Sequence, residues 1–384
     1  MNWNRLFTRR CALVLIFMVA ITALTGCSQQ TATKNNEQIQ VTDLAGREVK
    51  IKAPVNKVVL QWSGSGGAFI TMMVLEGKNV HQKIAGWDDG LKINRFDMWT
   101  KYSEAIPELD KIPVVGNIDT DTFSVEKVIA LKADVLVLPL GLVKKSQDII
   151  NKLEAAGIPT VFIDYHTESV DNHTKSIQLM GKILGKEQRA QELTTYHQEE
   201  VNKIYSRLKT INQPKPKVYV ECASDSPATY GNSYGNYMWG ALVEQCGGDN
   251  ITKGKFETYA PINPEFLLKA NPDIIIMTGS YWPKKPESLR LGFMANQAES
   301  QKLLQAFTKR VGWSELKAVK NKQVFAIHHG ISREVYDSAV IQYLAKKFYP
   351  EEFKDVDPVQ SLKEFYKKFM PVELSGIWMM DLQN

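Results

Sequence analysis

Five loops in this sequence, each leaving a short apolar run, gather residue types that hold small molecules. VVL at Val58 leads into Gln61-Trp62-Ser63-Gly64-Ser65-Gly66-Gly67, and IAG at Ile84 leads into Trp87-Asp88-Asp89-Gly90 with Arg95 beyond. KVYV at Lys217 precedes a long loop holding Tyr230 and Tyr234, DIIIM at Asp273 precedes Thr278-Gly279-Ser280-Tyr281-Trp282, and QVFAI at Gln323 precedes His328-His329-Gly330-Ile331-Ser332-Arg333. Indole and phenol rings offer stacking faces, and Arg95 and Arg333 can pair with carboxylates or phenolates. SGSGG ahead of a helix can cradle an anion on backbone N–H donors, or be a tight turn and no more. A tryptophan beside a strand end can equally lid its own core. In open parallel sheets ligands bind beyond the C-terminal ends of strands. That rule nominates Trp62, Ser63, Trp87, Arg95, Tyr230, Tyr234, Tyr281, Trp282, His328 and Arg333 as ligand contacts.

Covalent and metal chemistry find less support. The sequence has no GxxxxGK[ST] phosphate loop, no GxSxG elbow, no HExxH and no CxxC pair. Asp43, Asp88 and Asp89 lack any partner arrangement that would make a catalytic pair, so no catalytic residue is assigned. His328 and His329 are adjacent on an extended stretch and point to opposite sides, so at most one faces a cleft. His166 and His173 read as surface residues. No direct protein ligation of a metal is expected.

The elements that must position these loops follow from the pattern of apolar runs. From Lys57 to Asp164, and again from Lys217 to Ile327, short apolar runs alternate with helical stretches, which implies mostly parallel sheets covered by helices. SVEKVIALKADVLVLPLG from Ser124 and NPEFLLKANPDIIIMTGS from Asn263 align without a gap. Each has an N-capping Ser or Asn, then Glu126 or Glu265 in the first turn, then Asp134 or Asp273 heading an apolar run. One module used twice implies two similar α/β lobes with a ligand site between them. A carboxylate in a first turn also offsets the helix dipole and needs no further role. IQVTDLAGREVKI from Ile39 reads as a hairpin, and Glu168 to Leu208 reads as two helices divided at Gly185. The aromatic tail from Tyr349 reads as packing.

At the N-terminus, Arg5, Arg9 and Arg10 precede an apolar run from Ala12 to Leu24, and Leu24-Thr25-Gly26-Cys27 follows. The run is too short for a spanning helix and its flanks are those of a secretory signal. The mature chain is long enough for two domains, and its near-neutral charge points to no nucleic acid. Of the four cysteines, Cys11 lies in the leader and Cys27 at its end. Cys222 and Cys246 are either a disulfide or two buried thiols.

LTGC resembles the bacterial lipobox, which implies cleavage before Cys27 and lipid on its thiol. TDLAGREVKI followed by KVVL, the ExxxALKxDVLVL segment, GIPTVFID and the CGGDNI run at Cys246 resemble the substrate-binding lipoproteins of iron-siderophore, haem and cobalamin ABC importers, the class III periplasmic binding proteins. The resemblance implies two Rossmann-like α/β lobes joined by a single long rigid helix starting near Glu168, with modest closure around the ligand. The expected layout is a signal peptide over residues 1–26, a tether over 27–38, an N-terminal lobe over 39–165, an interlobe helix over 166–186 and a C-terminal lobe over 187–384. In that family one glutamate of each lobe docks onto arginines of the permease dimer, and by position these are Glu126 and Glu265. The resemblance implies a monomeric, lipid-anchored, exported receptor with no enzymatic activity and no cofactor. Its cargo is a metal chelate whose iron the chelator itself holds: a ferric siderophore first, then haem, with Tyr230 or His328 as an iron ligand, then cobalamin. An exported chelatase-like enzyme is the alternative of a different class. The segment from Leu91 to Glu108 and the loop from Ala223 to Trp239 depart from the shortest members and are expected to shape the pocket.

Overall fold

The computed structural model describes residues 38–383. The expected leader, Cys27 and nearly all of the tether lie outside the described residues. A hairpin of β1 (Gln38–Thr42) and β2 (Glu48–Lys52) opens the described chain. Strands β3 (Val58–Leu60), β4 (Ile84–Trp87), β5 (Val135–Pro139) and β6 (Thr160–Ile163) then form a parallel sheet in the order β4-β3-β5-β6. The second half holds β7 (Lys217–Cys222), β8 (Asn232–Tyr234), β9 (Asp249–Asn250), β10 (Tyr259–Pro261), β11 (Ile274–Gly279), β12 (Val324–His328) and β13 (Met379–Asp381). Five of these form a sheet in the order β13-β12-β11-β7-β9, parallel except for β13, while β8 and β10 make a separate antiparallel ribbon. The α/β fold with mostly parallel sheets is the one expected from the alternation of apolar runs.

The duplicated segment builds the same corner of each sheet. Ser124 caps the helix Val125–Ala130 by accepting from the Lys127 amide, and Asn263 caps Pro264–Ala270 by accepting from the Glu265 amide. Asp134 Oδ2 accepts from the amides of Asn56 and Lys57 at 2.7 and 2.9 Å, and Asp273 Oδ2 accepts from the Lys217 amide at 2.9 Å. In both halves the repeated aspartate ties off the start of the neighbouring parallel strand.

Side chains alternate across a strand, and here the alternation divides three cores. Val135 and Val137 of β5 face a large central cluster, whereas Leu136 and Leu138 face a cluster covering the outer side of the first sheet. On β11, Ile274 and Ile276 join the same central cluster, and Ile275 and Met277 join an outer cluster of the second sheet. The inner faces of both sheets therefore share one core. Both faces of each sheet are buried, which explains the nearly continuous apolar runs.

Three features connect the halves. The chain crosses through the helices Val170–Leu184 and Glu187–Leu208, with Gly185 between them in the left-handed conformation at φ 64°. The segment from Gly90 to Ala105 forms two short helices whose Trp99 and Tyr102 enter the central core, and the Tyr102 hydroxyl meets that of Tyr366 at 3.3 Å. The aromatic tail supplies Phe365, Tyr366 and Trp378 to that core, so packing is its role. Asp97 accepts from the Phe293 amide at 2.7 Å, and Arg95 reaches Glu334 at 3.9 Å while its guanidinium fills the space a side chain at Gly330 would need. The segment that the sequence gives to the pocket does line it through Asn94, and it also bolts the two halves together.

Behind these contacts lies a buried polar layer. Asp337 pairs with His173 Nδ1 at 2.9 Å and hydrogen-bonds His197 Nε2 at 2.5 Å. Burial opposes its charge, yet the two imidazoles hold its carboxyl well below the usual range. Burial likewise opposes a charged His173, but the Asp337 carboxylate outweighs it and the pKa is raised. His173 is thus a core ion-pair partner, not the surface residue expected. His328 is fully buried against Trp378, ring centroids 4.5 Å apart, with neither ring nitrogen hydrogen-bonded. Desolvation, with help from Arg95 and Arg333, drives its pKa well below the ordinary value.

Asp97→Ala leaves the Phe293 amide unpaired and is expected to cost about 1–3 kcal/mol. Thermal unfolding checks this, and Asp97→Asn, which keeps an acceptor, should lose less. A histidine with a depressed folded pKa binds more protons when unfolded, so its stability contribution is lost as pH falls through the unfolded value of about 6.5. Asp97, pushed up to about 6 mainly by desolvation, and Glu334, pushed up to about 7 for the same reason, act in the opposite sense. The informative quantity is a difference: His328→Leu should lose less stability than the parent between pH 6.5 and 5, measured by denaturant unfolding at each pH.

Candidate functional site

The strand ends converge on one cleft of about 1010 Å³. From the first half it receives Trp62 and Ser65 after β3, Asp88 and Gly90 after β4, Leu140 and Gly141 after β5, and Asp164, His166 and Thr167 after β6. The second half contributes Tyr237 and Met238, then Phe256 to Tyr259 leading into β10, and Arg333 after β12. Every strand of the first sheet ends at this cleft, as the strand-end rule requires.

Trp62 stands at φ 53° and Met238 on the facing wall also at φ 53°. Positive φ is costly for such side chains, and outliers of this kind cluster at ligand clamps. Trp62 donates its indole N–H to Asp119 at 2.5 Å and packs edge-on to His166 with centroids 4.9 Å apart. The glycine cluster beneath it is a packing device rather than an anion cradle. Gly67 lies at φ 75°, where a side chain would strike the Tyr165 ring.

The two aspartates at the strand ends of the cleft, Asp88 and Asp164, are occupied. Asp88 Oδ1 accepts from the Gly90 amide at 2.6 Å and the Ser63 hydroxyl at 2.8 Å, and its pKa is raised by desolvation against these bonds. Asp164 accepts from the amides of His166 and Thr167, the Thr167 hydroxyl and the Asn172 side chain. The His166 imidazole is kept neutral by burial first, then by Arg333, His173 and Arg95, and makes no hydrogen bond among the described residues. Arg333 is only 7% exposed, with Nε unpartnered, and its guanidinium has no ion pair or hydrogen bond among the described residues. Glu168 beside it is held far above the usual carboxyl range, chiefly by desolvation and then by Asp337, against the pull of Arg333.

Of the residues nominated from sequence, Trp62 and Arg333 line the cleft. Ser63 is buried one layer back, holding Asp88. Trp87 packs on Phe69 and Trp99 in the core, so it lids its own hydrophobic layer. Arg95 is the interlobe bolt, and His328 is buried against Trp378 away from the wall. Tyr230 packs under the Arg310 guanidinium, 4.2 Å from its ring, and accepts the indole N–H of Trp313, far from ligand duty. Tyr234 is buried between Tyr259 and His329, behind the wall. Tyr281 packs on Phe96, and Trp282 lines a neighbouring recess. Cys222 and Cys246 are both buried free thiols. His166, Tyr237, Phe256 and Tyr259 were missed. His166 and Tyr237 lie in strand-end loops and were open to the same rule, whereas Phe256 and Tyr259 arrive through the β8–β10 ribbon, which has no clear alternation.

Glu126 and Glu265 are exposed at the first turns of their helices. The Glu126 amide and then the Ser124 hydroxyl hold the Glu126 carboxyl below its usual range.

Comparison with known proteins places the chain. The periplasmic binding protein family matches residues 76–329. The crystal structure of a TroA-like periplasmic binding protein, FepB from Veillonella parvula, is 52% identical and covers 90% of this chain and 100% of that one, with a TM-score of 0.86. An uncharacterized ABC transporter substrate-binding lipoprotein of Bacillus subtilis, YvrC, is 24% identical over 90% of this chain and 99% of its own length. The high-affinity heme uptake protein IsdE of Staphylococcus aureus is 28% identical over 49% of this chain and 60% of its own. This chain belongs to the periplasmic binding protein family and is similar along nearly its whole length to substrate-binding proteins of ABC transporters.

Proposed function

We propose that this protein is an extracytoplasmic receptor that binds an anionic metal chelate, first of all a ferric siderophore, and hands it unchanged to the permease of an ABC importer. Arg333 carries the reading. A buried cation without a partner is costly, and one placed at the floor of a cleft calls for an anionic ligand. The size of the cleft suits a drug-sized or larger molecule rather than a bare ion. Its walls supply Trp62, Tyr237, Phe256 and Tyr259 as stacking surfaces. Asp88 and Asp164, the carboxylates at the strand ends, are engaged by their own loops, and Asp119 accepts from Trp62, which favours a receptor over a chelatase-like enzyme.

One observation favours haem as a second reading: the neutral, unbonded imidazole of His166 on the cleft wall is a competent iron ligand. It replaces Tyr230 and His328, which the fold holds elsewhere. No residue of the cleft speaks for cobalamin.

The lipobox at Cys27, together with a relative named as a lipoprotein, supports lipid anchoring after export. Glu126 and Glu265 are assigned to permease docking. They occupy equivalent exposed positions of the duplicated segment, each followed one turn later by an exposed apolar residue, Ile129 or Leu268. Residues i and i+3 share a helix face.

Arg333→Met should weaken binding of a ferric siderophore by about 1.5–3 kcal/mol, the worth of hydrogen bonds to a charged group. The same change should leave the ligand-free protein at least as stable as the parent, because an unanswered buried charge is removed. Titration of tryptophan fluorescence and thermal unfolding read the two effects, and unchanged affinity would refute the assignment. Glu126→Ala combined with Glu265→Ala should leave affinity unchanged while abolishing cellular uptake of labelled chelate; a large loss of affinity contradicts the docking role.

A further inference from the structure

A second recess of about 480 Å³ opens beside the cleft. One wall is Lys92, Ile93, Asn94 and Phe96, and the other is the loop after β11, with Trp282, Lys284 and Lys285. Asn94 lines both spaces, so the recess is an annex of the cleft with Asn94 at the neck. The Ser280 hydroxyl donates to the Asn94 carbonyl at 3.3 Å, which fixes the two walls against each other.

The two spaces differ in charge. In the main cleft Arg333 is the only lysine or arginine among the lining residues, and Asp88, Asp119, Asp164 and Glu257 share the walls. The annex has three lysines and no lining carboxylate. Lys92 is held 4.1 Å from the Trp99 ring and 3.5 Å from Asp110, and Lys285 lies 3.0 Å from Asp225. Lys284 has no ion pair among the described residues. Trp282 is half-buried, its ring 6.2 Å from that of His329, with an open face toward the recess.

We infer that the annex is a second subsite, which takes an anionic aromatic arm of the catecholate or salicylate type while the metal-bearing centre of the same chelate lies against Arg333. The indole and the Phe96 ring meet the ring of an iron-bound arm, and the lysines meet the negative charge that the ferric complex carries. A ferric complex carrying several negative charges finds one cation in the cleft proper; the annex supplies the rest. This rests on the reading of the cleft as a chelate site, and it narrows the cargo to chelates with charged aryl arms.

The test compares two probes on the purified protein: the ferric complex of a linear tris-catecholate and that of a linear trihydroxamate, which has no aryl arms and whose iron centre carries no net negative charge. Trp282→Ala and Lys284→Glu should each weaken the tris-catecholate complex roughly three- to tenfold, and leave the trihydroxamate complex within about twofold. Lys284 is exposed and Trp282 half-buried, and an unchanged melting temperature shows that the variants fold. Equal affinity for the tris-catecholate complex in parent and both variants overturns the annex. Arg333→Met, titrated alongside, reports separately on the cleft, and a parent that binds neither complex removes the chelate reading itself.

Discussion

A guanidinium buried without a counter-charge is the constraint around which this molecule is arranged. Arg333 cannot shed its proton, since burial and the adjacent Arg95 lower its pKa only from an already high value. The backbone that carries it is fixed, because the residues after it are pinned. Glu334 meets Arg95 from the first half, and three residues further on Asp337 is gripped by His173 and His197 from the two crossing helices. The carboxyl of Glu168, which acts on it, is itself pushed far above its usual range by desolvation. The charge is therefore held ready at the cleft floor, and the reorganisation that would otherwise oppose ligand binding has been met during folding.

The shared core makes that arrangement possible. Because β5 and β11 send alternate residues into one cluster, and because Trp99, Tyr102, Phe365, Tyr366 and Trp378 fill the space between the halves, opening the cleft by hinging would expose a continuous apolar layer. The modest closure implied by family resemblance is accordingly small here. Adjustment to a ligand falls to the wall loops, and their strained points, Trp62 and Met238, face each other across the opening.

Much of the architecture could be read from periodicity. Alternating apolar runs and helical stretches identify both parallel sheets, and the gapless repeat identifies the equivalent corners that Asp134 and Asp273 tie down. The site was only half legible. The strand-end rule names loops, not side-chain directions, and one residue of offset decides between wall and core: Trp62 reaches the cleft, whereas Trp87, equally aromatic and equally at a strand end, turns into the core toward Phe69. His328 was lost the same way, for the last residue of β12 points inward. His173 was misjudged because nothing in the local helix reveals Asp337, which arrives from a distant part of the chain.

The duplication acquires its meaning from this division of the sheets. Glu126 and Glu265 stand on helices that enter strands, and the cleft is built from loops that leave them, so recognition of cargo and the proposed recognition of permease occupy opposite edges. Surfaces that repeat can serve a partner with two-fold symmetry, whereas a chelate held between two dissimilar walls needs none. Four exposed apolar side chains follow the same partition: Tyr237 and Tyr259 line the cleft, while Ile129 and Leu268 flank the paired glutamates. Selection on one edge can therefore change the cargo without disturbing the other, because the buried strands and the core they share stand between them.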